Sequence, residues 1–302
     1  MTGAADRRRV VGRFAPTPSG PLHLGSLLAA VGSWLDARHA GGEWLLRIDD
    51  LDQPRCRPEH EHDILAALAA HGFVPDRPPT RQSGDATRYE AALRQLDARG
   101  LLFQCSCSRR ELAASGAPDP CCLRDCRNRR AAATHGSDTS LRVDLAGLAP
   151  MQATDRSLGS ITFDPRRHRD LVLRRRDGIV AYALAVVVDD HDAGVSDVVR
   201  GGDLLAGTPW QLALHQALGL APPRYLHLPV VTEPEGAKLA KSRRSVPLDP
   251  ARSTENLTAV LGWLRQPLPA DTKKNAAELL AAAASVWDPG RFAGEAEVRL
   301  AR

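Results

Sequence analysis

The stretch "RFAPTPSGPLHLGSLLAA", residues 13–30, decides the fold. It crowds prolines and glycines into a short turn and then runs into leucines at helical spacing. Leu24, Leu27, Leu28, Val31, Trp34 and Leu35 recur every three or four residues. Before the turn, residues 9–15 read as a short buried strand, and "EWLLRI", residues 43–48, reads as the next. Strand, tight loop, helix and strand make a βαβ start, which calls for a parallel sheet. Pro21 suits the first position of the helix. The loop then delivers His23 and Gly25 into the first turn, where free backbone N–H groups and the helix dipole favour an anion.

Outward from that unit, 302 residues with 43% hydrophobic composition suffice for a sizeable core and about two domains. The net charge is only +4, but arginines cluster at 124–130 and 166–176, which suits an acidic polymer as partner. The first residues lack the apolar core of a secretory signal, and the longest apolar run, "IVAYALAVVV", is too short to span a bilayer. The expectation is a cytoplasmic protein without membrane association.

Helical patterns follow over 58–71 and 86–99, a cysteine-rich insertion begins at 105, and short strand patterns occur in "LRVDL", "SITF" and "LVLRR". "VSDVVRGGDLLAGTPWQLALHQALGL" then restarts a strand, loop and helix, so the core is read as split by an insertion. "DDHD", residues 189–192, reads as a polar turn between strands. After "RYLHLPVV" comes the basic stretch "EGAKLAKSRRS", and residues 246–302 show helical patterns only. The expected organisation is a first half of the core at 1–104, a metal-bearing insertion at 105–150, a second half at 151–245 and a short helical segment at 246–302.

Five of the six cysteines fall between Cys105 and Cys126, which argues for a local metal clip and against a dispersed disulfide framework. Cys105 and Cys107 form a C-x-C pair, and Cys122 and Cys126 follow at C-x3-C spacing, so four thiolates can meet around a tetrahedral Zn2+. Cys121 is the spare thiol and competes with Cys122 for the third position.

"HLGS" at His23 to Ser26 and, far downstream, "KLAKS" at Lys238 to Ser242 resemble the paired HIGH and KMSKS signatures of the class I aminoacyl-tRNA synthetases. The implied fold is an α/β Rossmann-like catalytic core with a zinc-bearing insertion. The resemblance implies that ATP, with Mg2+ on its phosphates, meets His23, Gly25, Lys238, Lys241 and Ser242. It also implies that His23 and Lys241 stabilise charge on the α-phosphate. Such chemistry needs fixed donors aimed at developing oxyanion charge, and a helix N-terminus with ammonium groups supplies them.

"RFAPTPSG" and "RIDDLDQPR" resemble the glutamyl and glutaminyl branch. That likeness implies an L-glutamate site made by Arg13, Phe14, Ala15, Pro16, Thr17, Asp49, Tyr182 and Arg200, with Arg13 on the side-chain carboxylate. Asp49 stands where the family usually has a glutamate and reaches one methylene less far. About sixty residues follow Ser242, less than the separate anticodon-binding domain of full-length members would need. The chain thus resembles the shortened members that transfer glutamate to the queuosine base in the anticodon of tRNA(Asp). Charging of the tRNA 3′ end by a truncated enzyme, and RNA binding by a catalytically idle zinc protein, are the alternatives.

Overall fold

The computed structural model describes residues 9–108, 110–111, 126, 139–168, 170–232, 246–268 and 275–299. At its centre is strand β1 (Val11–Phe14), parallel to β2 (Glu43–Ile48), with Arg13 opposite Leu45. β2 in turn pairs in parallel with the short β3 (Thr80–Arg81). On the other side of β1 lies β9 (Asp197–Gly201), where Ser196 N donates to Val11 O at 3.0 Å and Val11 N donates to the Ser196 hydroxyl at 2.9 Å. β9 pairs in parallel with β10 (Arg224–Leu228), β10 with β6 (Met151–Asp155), and β6 forms an antiparallel hairpin with β7 (Gly159–Phe163). The spatial order 3-2-1-9-10 is that of a doubly wound nucleotide-binding sheet, and its topological switch point falls between β1 and β9.

Helix α1 (Leu24–His39) crosses from β1 to β2 as the leucine spacing predicts. It begins three residues after Pro21, with His23 as its N-cap, so the expectation that Pro21 opens the helix is corrected. A histidine side chain satisfies the first-turn N–H here, and the proline stays in the loop. At Gly32 an added Cβ would come within 2.6 Å of a Leu228 methyl, so glycine lets α1 lie this close to β10 without displacing that side chain. Leu27, Leu28, Val31 and Leu35 share one core with Trp44, Leu226 and Leu228 of the strands. The same core includes α2 (Pro58–Ala70), α6 (Ser253–Trp263) and α7 (Ala276–Ser285), labelled here in chain order. Asp36 of α1 fixes this assembly by accepting from both terminal nitrogens of Arg156 at 2.7 Å and from the Trp287 indole at 3.0 Å.

A second core forms around α3 (Thr87–Ala98), α4 (Tyr182–Asp192), α5 (Thr208–Leu218) and an antiparallel sheet of β4 (Leu102–Cys105), β5 (Ser140–Asp144) and β8 (Asp170–Arg174). Here the reading of "DDHD" as a turn between strands is overturned: residues 189–192 are the last turn of α4. That helix is enclosed by neighbours, so its apolar positions run together without the period that marks a surface helix. The C-terminal segment also differs from the expectation of helices alone, since β12 (Glu297–Arg299) pairs in parallel with β11 (Val230–Thr232). Three residues are too few to carry a periodic signal. Among the described residues no helix is long and apolar enough to cross a membrane.

Candidate active site

A cavity of ≈ 560 Å³ opens at the switch point, lined by the carboxyl end of β1, the loop to α1, Tyr182 at the start of α4, Arg200 on β9, and Val230 and Val231. Open α/β sheets bind ligands outside the carboxyl ends of their strands at this point. The cavity collects Arg13, Phe14, Ala15, Pro16, Thr17, His23, Gly25, Tyr182 and Arg200 from the sequence expectation.

His23 caps α1 by accepting from Ser26 N on Nδ1 at 3.2 Å. That bond leaves the proton of the neutral ring on Nε2, which lies 3.1 Å from the Ser26 hydroxyl. Burial lowers the His23 pKa, so near neutral pH the ring is an uncharged Nε2–H donor at a helix N-terminus. Gly25 leaves the ring room, because a Cβ there would stand 3.0 Å from the imidazole Cε1.

Arg13 is buried, and its Nε donates to both oxygens of Asp190 at 3.2 Å while Nη1 reaches Val199 O at 3.4 Å. Asp190 also accepts from Arg47 Nη1 at 2.6 Å, and Arg47 Nε donates to Asp49 at 2.7 Å. Neighbouring Asp189 accepts from Gln82 at 2.6 Å and from the Tyr89 hydroxyl at 2.8 Å. The aspartates at 189 and 190 are thus a buried counterion pair that the sequence reading missed. Burial alone would raise the Asp190 pKa, but the Arg13 and Arg47 guanidiniums outweigh it and hold the carboxyl low. For Asp49 burial wins over Arg47, and its pKa is pushed up to about 6. Asp49 lies behind Arg47 and is not among the residues lining the cavity.

Arg200 is held differently. Its Nε donates to His227 Nε2 at 3.2 Å and its Nη2 to the Thr208 hydroxyl at 2.7 Å, while the guanidinium carbon lies 5.3 Å from the Tyr225 ring centre. Nη1 is buried and has no hydrogen-bond partner among the described residues. An unpaired guanidinium nitrogen in a cavity wall is a costly feature unless a ligand oxygen completes it.

Lys238, Lys241 and Ser242 lie outside the described residues, and the flanks of their segment lead to the cavity in different ways. Val230 and Val231 line it, and Leu248 N donates to the carbonyl of Leu22, another lining residue, at 2.9 Å. Cys122 and Cys121 also lie outside the described residues. The sulfurs of Cys105, Cys107 and Cys126 are buried and lie within 4.8 Å of one another. Thiolates on a tetrahedral zinc at about 2.3 Å stand roughly 4 Å apart, so these three fit such an ion. Several arginines of the second basic cluster already have carboxylate partners, Arg166 with Asp164, Arg174 with Glu90 and Arg175 with Asp52.

Residues 9–251 match the family described as tRNA synthetases class I (E and Q), catalytic domain, and the chain belongs to that family of ligases. The chain is 48% identical over 285 residues to a protein of Xanthomonas campestris pv. campestris named glutamyl-Q tRNA(Asp) synthetase, covering 93% of this chain and 92% of the relative. A Pseudomonas aeruginosa protein of the same name is 44% identical over 288 residues, covering 93% and 94%. Among solved structures, the glutamate-tRNA synthetase of Elizabethkingia anophelis superposes with a TM-score of 0.76 at 25% identity, over 97% of this chain and 68% of that one. A methionyl-tRNA synthetase of Mycobacterium tuberculosis shares the fold, with a TM-score of 0.54 at 12% identity over 84% of this chain.

Proposed function

We propose that the protein activates L-glutamate with ATP to glutamyl-adenylate and pyrophosphate, and then transfers the glutamate to the queuosine base in the anticodon of tRNA(Asp). The observation that carries this reading is one cavity lined both by buried guanidiniums, Arg13 and Arg200, and by the N-terminus of α1 with His23. Two arginines suit a dicarboxylic amino acid, and a helix N-terminus suits a phosphate. Arg200 offers its unpartnered Nη1 to a substrate carboxylate, with Arg13 and Tyr182 completing the pocket and Asp49 serving the ammonium group through its charge.

In the first step a carboxylate oxygen of glutamate forms a bond to the α-phosphorus, and the bond to pyrophosphate breaks. Neutral His23 donates from Nε2 to the phosphate oxygens, while Lys241, with Lys238 and Ser242, adds positive charge from the KLAKS segment. Mg2+ travels with the ATP phosphates and supplies charge neutralisation there. In the second step a nucleophile of the queuosine base attacks the activated carbonyl and AMP leaves. Zn2+ would be held by Cys105, Cys107 and Cys126 with Cys122 as fourth ligand, far from either step in role: it would order the insertion.

The deciding experiment uses labelled glutamate, ATP, and tRNA(Asp) with and without queuosine, followed by digestion. Label in the queuosine nucleoside is expected. Label on the 3′-terminal adenosine, or equal labelling of both tRNAs, would sink the proposal. Metal analysis is expected to give one zinc per chain, lost in the Cys105→Ser, Cys107→Ser double variant and kept in Cys121→Ser.

A further inference from the structure

Three adjacent strands each contribute one polar side chain to a line through the interior of the sheet: Asp155 from β6, His227 from β10 and Arg200 from β9. His227 stands directly opposite Arg200 in the β10–β9 register. The side chains of Asp155 and His227 are wholly buried, and a carboxylate and an imidazole in such a place are expensive unless fully paired. Pairing is complete on the Asp155 side. Its carboxylate accepts from Ser157 N and Leu158 N at 2.9 Å and from His227 Nδ1 at 2.6 Å.

We infer that Asp155 and His227 are positioning residues for substrate binding: Asp155 fixes the proton of His227 on Nδ1, so that Nε2 stays an acceptor and holds the Arg200 guanidinium in the cavity wall with Nη1 as its unpartnered nitrogen. The inference rests on the reading of Arg200 as a substrate-carboxylate contact. Its logic is geometric. His227 Nε2 accepts from Arg200 Nε at 3.2 Å and has the Thr208 hydroxyl at 3.1 Å. With Nε on the imidazole and Nη2 on Thr208, the planar guanidinium has no remaining freedom to rotate, and Nη1 is the nitrogen left over. The opposite tautomer would set an imidazole N–H against a guanidinium N–H, two donors facing each other, and Arg200 would turn away. His23 at the other end of the cavity carries its proton on Nε2, so the two histidines require opposite tautomers, each fixed by what its Nδ1 meets.

The test combines nitrogen NMR on 15N-histidine-labelled protein with pyrophosphate exchange. In the wild type the His227 ring is expected as the Nδ1–H tautomer, and finding Nε2–H overturns the inference without any variant. In Asp155→Asn the amide can turn a donor toward the ring, the tautomer is expected to shift, and the glutamate KM is expected to rise about tenfold with the ATP KM nearly unchanged. In an Arg200→Ala background the same substitution is expected to add nothing further. His227→Gln, which returns an oxygen acceptor toward Arg200, is expected to retain more glutamate affinity than His227→Ala. Equal rises in both KM values, or additivity with Arg200→Ala, would mark a merely structural role and overturn the inference. A raised KM in Arg200→Ala beside an unchanged one in Asp155→Asn overturns it alone. An unchanged KM in Arg200→Ala overturns the reading of Arg200 and the inference with it.

Discussion

β1 carries Arg13 and passes into α1, while β9 carries Arg200 and passes into α5, so the two halves of the sheet bring a guanidinium to the cavity by the same route. What stands behind each guanidinium differs. Arg13 leans directly on the carboxylate of Asp190, which it shares with Arg47. Arg200 leans on an imidazole nitrogen and a hydroxyl, and its nearest anchoring carboxylate, Asp155, stands one residue further back. In a buried site a charge already met by its counterion offers little net attraction, and one held by neutral acceptors keeps nearly all of it. Under the proposed function, the expectation from this difference is that Arg13 gives shape and orientation and Arg200 the pull on the substrate.

Substitution of the two arginines should separate them most sharply. Arg200→Ala is expected to raise the glutamate KM in pyrophosphate exchange about a hundredfold, as the loss of a charge-assisted contact worth about 1.5–3 kcal/mol implies, and Arg13→Ala only about tenfold. The reverse order would break the comparison. Next in size is Asp190→Asn. It removes the shared counterion of Arg13 and Arg47, although Arg47 keeps Asp49 and Arg13 keeps the Val199 carbonyl. A loss of about 2 kcal/mol is expected, seen as a Tm lower by roughly 4–8 °C in thermal unfolding.

The pH dependence of Asp49 sharpens the picture of the Arg13 side. Its folded pKa of about 6 lies above the unfolded value, so the folded state binds this proton more tightly. Its contribution to stability is therefore present below the unfolded pKa and lost as pH rises through about 6. Glutamate binding runs the other way: ionised Asp49 favours the substrate ammonium, so the glutamate KM is expected to fall as pH rises through about 6, and Asp49→Asn to flatten both profiles. The smallest effect is expected at Gly25→Ala. A Cβ 3.0 Å from the His23 ring must displace it slightly, lowering kcat about fivefold, or ~1 kcal/mol, with little change in Tm.

On both sides the arginine was legible in the sequence and the residues that hold it were not. The turn at residues 13–23, the helix from Leu24 and the strand at 43–48 announce themselves because their periods are clean and their partners lie within 40 residues. Asp189 and Asp190 were hidden because α4 is buried on several sides, so its carboxylates look like punctuation after an apolar run. Asp155 and His227 are 72 residues apart and carry no local signal; only the parallel pairing of β6 with β10 brings them together. The cysteine spacing was informative for Cys105, Cys107 and Cys126, whose sulfurs converge to within 4.8 Å of one another.

The core beneath the α1 end of the cavity has a consequence in time. Leu27, Leu28 and Leu35 of α1 share their cluster with Leu257, Leu261, Leu280 and Phe292. During synthesis the first βα unit leaves the ribosome long before that cover is made, by roughly ten seconds to a minute at about 5–20 residues per second. Released chains truncated near residue 250 are expected to be cut by protease within residues 24–39, and full-length chains to resist. Equal resistance would show that the unit closes without its late partners. The nascent enzyme therefore passes through an interval in which the α1 end of its cavity is translated but unshielded, and a chaperone that binds apolar helices would find α1 then.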